Sequence, residues 1–239
     1  MSKPFKFKEF TVQQDNCAMK IGTDAVLLGA WASIEHEPES ILDIGTGTGV
    51  IALMMAQRSD AQLIDALEID DAAYEQAVDN FEMSDWGDRL FCYHASLEEF
   101  AEEMTDQDGY QLIVSNPPFY SQSHPSNDSK RDLARSTASL SFSELLESVN
   151  NLLAPEGQFA VIVPRVEELT IIEKAREFNL FPLKITRVKG TPDTPEKRSL
   201  LQFSYKQTPY FEDILIIETK RHHYTEEYIA LTKDFYLNM

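Results

Sequence analysis

The chain is short of cysteine, of basic residues and of long apolar runs, and each shortage removes a class of function. Cys17 and Cys92 are the only cysteines in 239 residues. Two isolated thiols make neither a disulfide framework nor a metal-type spacing, so a reduced, cytoplasmic protein without a bound metal is expected. The adjacent pair His222-His223 lies among charged residues with no partner cysteine and reads as solvated. No apolar run approaches the roughly 18 residues of a membrane span. The stretch Met1-Ser2-Lys3-Pro4-Phe5-Lys6-Phe7-Lys8 is basic but lacks the apolar segment of a secretory signal. Lys and Arg number 21 against 40 Asp and Glu, for a net charge of −19. That balance argues against a broad nucleic-acid footprint, because phosphate contacts require cations. It leaves room for a local one. Bases cluster at Lys3, Lys6 and Lys8, at Lys130, Arg131 and Arg135, at Lys184, Arg187 and Lys189, and at Lys197 and Arg198. The acids concentrate in 65–108, expected on helices facing away from substrate.

What is present fits one α/β domain over residues 1–239, with 43% hydrophobic residues to build its core. Strand patterns at 41–44, 63–68, 90–93, 110–115 and 157–163 alternate with helix patterns at 49–58, 71–83, 96–104, 142–153 and 166–178. This rhythm predicts βαβ units and a parallel sheet. Runs at 181–188 and 199–205, separated by a Gly-Thr-Pro-Asp-Thr-Pro turn, predict an antiparallel hairpin. Residues 206–239 form an extension with a short apolar run at 214–217 and a C-terminal helix. Residues 119–140 read as a long polar loop, which in a compact domain points to function or mobility.

Two motifs carry chemistry. The strand Tyr110-Gln111-Leu112-Ile113-Val114-Ser115 runs into Asn116-Pro117-Pro118-Phe119. Two prolines end a sheet ladder, and the residue before a proline is held extended, so Asn116 projects from the strand's end. A side-chain amide, a carbonyl without a ladder partner and an aromatic face together suit an amine attached to a planar ring. Upstream, Ile41-Leu42-Asp43-Ile44-Gly45-Thr46-Gly47-Thr48-Gly49 is a strand, a glycine loop and the start of a helix. Such a loop lets a ligand approach the backbone closely. The dinucleotide pattern G-x-G-x-x-G would need glycine where Val50 stands. Glu68 ends the next strand, 25 residues after Asp43. An acid there can accept ribose hydroxyls, although Glu68 and Asp70 also suit the start of the following helix.

The Asp-x-Gly-x-Gly-x-Gly and Asn-Pro-Pro-Phe motifs together resemble S-adenosylmethionine-dependent N-methyltransferases. Flanking segments narrow the likeness. Phe7-Lys8-Glu9-Phe10, the run Asp15 to Trp31 and the C-terminal Ala230 to Leu237 are similar to the bacterial tRNA(Val) adenine-37 N6-methyltransferase family over essentially the whole chain. The resemblance implies a Rossmann-like class I methyltransferase fold: a seven-stranded, mostly parallel sheet with a terminal antiparallel hairpin and helices on both faces. It implies methyl transfer to N6 of adenine 37 in tRNA(Val), with S-adenosyl-L-methionine as cofactor and S-adenosyl-L-homocysteine as product. It implies no metal, no membrane and no obligate protein partner. Asn116, Pro117, Pro118 and Phe119 take the catalytic motif, with Asn116 also beside the cofactor. Asp43, Gly45, Gly47 and Gly49 surround the methionine half, with Glu68 and Ile69 on the ribose side. Lys20, Thr23 and Asp24 match an N-terminal segment, within residues 1–36, that closes over the cofactor; Thr23-Asp24 also suits a helix N-cap. Phe119 and Tyr120 are assigned to stacking on the base, Tyr120 having the alternative of an exposed loop aromatic. Lys130, Arg131 and Arg135 are assigned to tRNA. One departure concerns the third strand, where related enzymes often carry Asp against the cofactor adenine. Here the run is His94-Ala95-Ser96-Leu97, and Ser96 either accepts that hydrogen bond or caps the helix. Alternative substrates within the same chemistry are another RNA base (rRNA adenine N6 or guanine N2) or a protein glutamine. A cofactor-binding module without turnover and a nicotinamide oxidoreductase are the readings from other classes.

Overall fold

Continuous apolar runs, as strands buried on both faces require, build an eight-stranded sheet in the computed structural model of the chain, which describes residues 3–104, 108–117 and 140–239. The N-terminal strands β1 (Phe5–Lys6) and β2 (Thr11–Val12) form a small antiparallel ribbon, followed by α1 (Thr23–Trp31). Strand and helix then alternate through β3 (Ser40–Ile44), α2 (Val50–Arg58), β4 (Leu63–Glu68), α3 (Asp71–Glu82), β5 (Leu90–His94), α4 (Leu97–Glu103) and β6 (Tyr110–Ser115). After α5 (Phe142–Leu152) come β7 (Leu153–Pro164), a 3₁₀ turn at Arg165–Glu167, α6 (Glu168–Glu177), β8 (Phe181–Lys189) and β9 (Glu196–Ser204). The chain ends with β10 (Phe211–Ile216), a second small ribbon of β11 (Glu218–Lys220) and β12 (His223–Tyr224), and α7 (Glu226–Thr232).

The sheet order is β10-β8-β9-β7-β6-β3-β4-β5. Only β9 runs antiparallel to its neighbours, which are β7 and β8. The expected hairpin is therefore present, as are the parallel sheet and the helices on both faces. The strand count differs: eight, not seven. Residues 211–216 lie parallel to β8 as an added edge strand. Only part of that strand was legible as an apolar run, because an edge leaves Phe211 and Ile214 exposed and Glu212 and Asp213 solvated.

Successive strand residues serve two cores. Ile41, Ile64, Leu112, Val114 and Ile162 face the side covered by α1, α2, α3 and α7. Leu42, Ile44, Leu67, Ile113 and Val161 face α4, α5 and α6. Helix starts are fixed locally. Ser96 and Ser141 form capping boxes with Glu99 and Glu144, and the Asp70 side chain caps α3 by accepting from the Ala73 amide. Helix ends are tied by arginines. Arg58 donates to the carbonyls of Gly29 and Ala32 at the end of α1, and Arg89 to those of Ala56, Ser59 and Ala61 past α2. The flanking segments meet: Phe7 bridges to Tyr236, and the Lys8 amide donates to the Phe235 carbonyl at 2.9 Å. Among the described residues, no helix is long and apolar enough to cross a membrane.

Candidate active site

The carboxyl ends of β6, β3 and β4 lie side by side, which is where open α/β sheets hold ligands. Ile44 pairs with Ser115 on one side and Leu67 on the other, so the residues after each strand emerge together. The buried Ser115 hydroxyl donates to the Ile44 carbonyl at 3.0 Å and pins the end of β6 to the end of β3. Asn116, next in the chain and half-buried, thus starts beside Gly45, with Pro117 buried behind it. Pro118, Phe119, Tyr120, Lys130, Arg131 and Arg135 lie outside the described residues.

The glycine loop is held open by its own chain. Gly45, Gly47 and Gly49 have φ of 70°, 57° and 80°, a region that side chains other than glycine rarely adopt. A Cβ on Gly49 would come within 2.5 Å of the Phe81 ring, whereas one on Gly45 or Gly47 would meet nothing within 4 Å. Gly49 is therefore needed for packing, while Gly45 and Gly47 border open space, the cradle a ligand would fill. The Asp43 carboxylate sits beneath the loop, fully buried. Its Oδ2 accepts from the Thr46 hydroxyl at 2.5 Å and from the Ala52 amide at 3.2 Å. Its Oδ1 is buried without a hydrogen-bond partner among the described residues. Burial pushes the Asp43 carboxyl up to about 7, against the pull of those two hydrogen bonds. An unsatisfied buried carboxylate oxygen under an open backbone cradle fits a cationic or N–H-bearing ligand group. Glu68 closes the loop from the other side. Its Oε2 accepts the Gly47 amide at 2.8 Å, and its Oε1 accepts the amides of Ile69 and Asp70, both at 2.9 Å.

The N-terminal segment packs on this rim through two buried amides that sequence reading missed. Asn80 accepts from the Gln13 amide (2.8 Å) and donates to the carbonyls of Gln13 and Thr48, both at 2.9 Å. Gln76 accepts from the Asn16 amide at 3.3 Å. One helical turn of α3 thereby fastens the segment to the glycine loop. The signal was present: residues 76 and 80 share the buried stripe of Ala73, Ala77 and Phe81. Cys17 is buried in this layer; burial, then the Glu68 and Asp70 carboxylates, push its thiol up to about 12. Lys20 is exposed, with Nζ 3.4 Å from the Gln14 carbonyl. Thr23 is the first residue of α1, and the N-cap is Gly22 with no side-chain cap bond. Asp24 instead ion-pairs with Arg198 of β9 at 2.8 Å.

At the β4–β5 rim, Ile69 is 54% exposed and its carbonyl lies 3.1 Å from His94 Nε2. His94 is also 3.1 Å from Asp71 and stacks on Tyr74. Ser96 follows, and its hydroxyl both donates to Glu99 Oε2 (2.7 Å) and accepts the Glu99 amide (3.2 Å) in the capping box. The structure thus gathers Asp43, the three glycines, Glu68, Ile69 and Asn116 at one edge, while Ser96 is engaged as a helix cap.

The family model described as "Methyltransferase small domain" matches residues 21–172. Among curated relatives, the tRNA1(Val) (adenine(37)-N6)-methyltransferase of Christiangramia forsetii is 58% identical over 238 residues, covering 100% of this chain and 99% of its own. The protein of the same name from Flavobacterium psychrophilum is 60% identical over 235 residues, covering 98% and 100%. Solved structures with the same fold include one titled a predicted O-methyltransferase, from Agrobacterium tumefaciens. It has a TM-score of 0.70 at 19% identity and covers 89% of this chain and 96% of its own. TYW2 of P. horikoshii, solved in complex with MeSAdo, has a TM-score of 0.56 at 14% identity, covering 85% and 71%.

Proposed function

The chain belongs to the tRNA1(Val) (adenine(37)-N6)-methyltransferase family, and from that premise we propose that it methylates N6 of adenine 37 in tRNA(Val) in the cytoplasm. S-adenosylmethionine supplies an electrophilic methyl group on a sulfonium. The observation that carries the reading is the register of β6, β3 and β4, which brings Asn116 beside the glycine loop and Glu68. Asp43 and the open backbone at Gly45 and Gly47 suit the methionine half of that cofactor, the buried carboxylate holding the loop from beneath. Glu68 offers the remaining acceptor capacity of its carboxylate to ribose hydroxyls. Lys20, Thr23 and Asp24 belong to the segment that closes from the N-terminal side, and Asn80 holds that segment in place.

The N6 lone pair of adenine is delocalised into the ring, so the amine is a weak nucleophile. Asn116 Oδ1 and the Pro117 carbonyl accept its two N–H bonds, which draws nitrogen toward tetrahedral geometry and aims the lone pair at the methyl carbon. Positive charge grows on nitrogen during attack, so both acceptors bind the transition state better than the ground state. No side chain has to remove a proton first: the N–C bond would form as the S–C bond breaks, leaving the sulfur as a neutral thioether, and the cationic N6 would then lose its extra proton to solvent. Phe119, two residues on, offers a ring for the base, and an adenine in a tRNA loop is already partly unstacked, which lowers the cost of extrusion.

The test is incubation with S-adenosylmethionine and bulk tRNA from cells lacking this enzyme, then digestion and mass mapping. N6-methyladenosine at position 37 of tRNA(Val) is expected. Methylation of rRNA or of a protein glutamine, with none in tRNA, would sink the reading.

A further inference from the structure

We propose that the tip of the β11–β12 ribbon, Lys220-Arg221-His222-His223, holds the phosphate backbone of the tRNA stem; this rests on the reading of the chain as a tRNA methyltransferase. Charge is unevenly spread along the fold. Residues 59–108 carry sixteen carboxylates and one base, Arg89. That guanidinium is committed to the carbonyls of Ala56, Ser59 and Ala61. Helices α3 and α4 pack on opposite faces of the sheet. Their acids therefore surround the β5 edge and do not lie on one face, as the sequence led us to expect. A polyanion is repelled from that half of the molecule.

The opposite end of the sheet carries cations without ion-pair partners among the described residues. β10 runs parallel to β8, so its carboxyl end lies on the same sheet edge as Asn116. There the amides of Ile217 and Glu218 donate to the carbonyls of Lys189 and Gly190 at 3.0 and 2.9 Å, and the ribbon extends from that anchor. Lys220, Arg221, His222 and His223 are exposed in succession. The larger cations nearby are already engaged: Arg165 with Glu196, Arg187 with Glu168 and Glu212, and Arg198 with Asp24. Neither Lys220 nor Arg221 has an ion-pair partner within the described residues, and Glu218, the nearest acid in the ribbon, accepts the His222 amide at 3.2 Å. The tip has a fixed shape. His222 takes φ of 64°, and the Thr219 hydroxyl donates to the His223 carbonyl at 3.1 Å. Tyr224 beside it is 40% exposed and packs on Tyr228.

Four strand spacings separate β10 from β6, about 19 Å at about 4.8 Å each. A base-paired stem adjoining the modified loop spans such a distance, so the flipped base enters at Asn116 while the tip grips phosphates of the stem. An acidic protein can then bind tRNA through a local cationic prong while its acidic β5 half repels the polyanion.

The test compares K220E/R221E and K220Q/R221Q with a control at the opposite sheet edge, R176E/K206E, which changes net charge as much as the first. Kd for the tRNA is measured by anisotropy over a salt series, with S-adenosylhomocysteine calorimetry reporting the fold. K220E/R221E should weaken tRNA binding at least tenfold at low salt and raise KM with kcat retained. The control should change it less than threefold. K220Q/R221Q should reduce the slope of log K against log salt by about 1.5, as expected for two lost phosphate contacts. Wild-type affinity and slope in both ribbon variants, with cofactor binding intact and methylation proceeding, overturn the assignment of the tip alone. A wild-type protein that neither binds nor methylates tRNA overturns the functional reading with it.

Discussion

Glu68 Oε2 accepts the Gly47 amide at 2.8 Å, so the acid at the end of β4 is docked on the glycine loop that begins at the end of β3. Its other oxygen takes the Ile69 and Asp70 amides. The residue therefore shapes the loop, whatever else it binds. Glu68→Ala should weaken S-adenosylhomocysteine binding by roughly 1–3 kcal/mol, the range for leaving polar partners unsatisfied. Calorimetry decides this: unchanged affinity removes Glu68 from the site.

Asn116→Ala should act mainly on turnover. Deleting one acceptor that strengthens as charge develops costs on the order of 10²-fold in rate. Cofactor affinity should change far less if Asn116 acts on the substrate amine, as proposed. Asn116→Asp keeps an acceptor and should retain more activity than Ala. Equal loss of single-turnover rate in the two variants, with normal cofactor binding, would show that Asn116 donates an N–H or only terminates the strand.

Asp43 gives the fold a pH signature. Its folded-state carboxyl is raised to about 7, so the fold favours the protonated form. Its contribution to stability is full below the unfolded-state value and declines as pH rises toward 7. The slope is at most ~1.4 kcal/mol per pH unit for one proton. Asp43→Asn should flatten this decline. Urea unfolding at pH 5, 6, 7 and 8 without cofactor checks it, and parallel curves for the two proteins would contradict it.

Asn80→Ala removes the hydrogen bonds joining α3, the glycine loop and the N-terminal segment. Buried partners left unpaired should cost about 1–3 kcal/mol in unfolding free energy. Amide exchange should rise across residues 13–17, while the β6–β7 pairing stays protected. Uniform exchange changes across the sheet would mean that Asn80 is not a local fastener.

Much of this was legible in sequence because local signals agreed with one another. Strands β3, β4 and β6 are apolar runs closed by Gly45, Glu68 and Pro117. Asp70, Ser96 and Ser141 announce their helices. What stayed hidden depends on tertiary context. β10 is an edge strand whose exposed Phe211 and Ile214 and solvated Glu212 and Asp213 left only Ile214 onward to read as an apolar run. Gln76 and Asn80 fall on the stripe of Ala73, Ala77 and Phe81, but only the tertiary structure shows that their amides bind the N-terminal segment. Asp24 read as a cofactor or cap residue, yet it is paired with Arg198, 174 positions away. The neighbours of Asp43 in sequence do not reveal that one of its oxygens is sealed in without a partner.

The bridge between Phe7 and Tyr236 sets an order of events during synthesis. Phe5, Phe7 and Phe10 are made long before the ring that completes their cluster, Tyr236, which comes 226 residues after Phe10. Contacts of such separation form late, because loop closure must precede the gain from contact. The nascent chain therefore carries an unfinished aromatic patch until the segment after α7 emerges. A truncation just before α7 should leave the central sheet able to pair but the N-terminal ribbon loose, tying the glycine-loop rim, on which this segment packs, to Tyr236 at the other end of the chain.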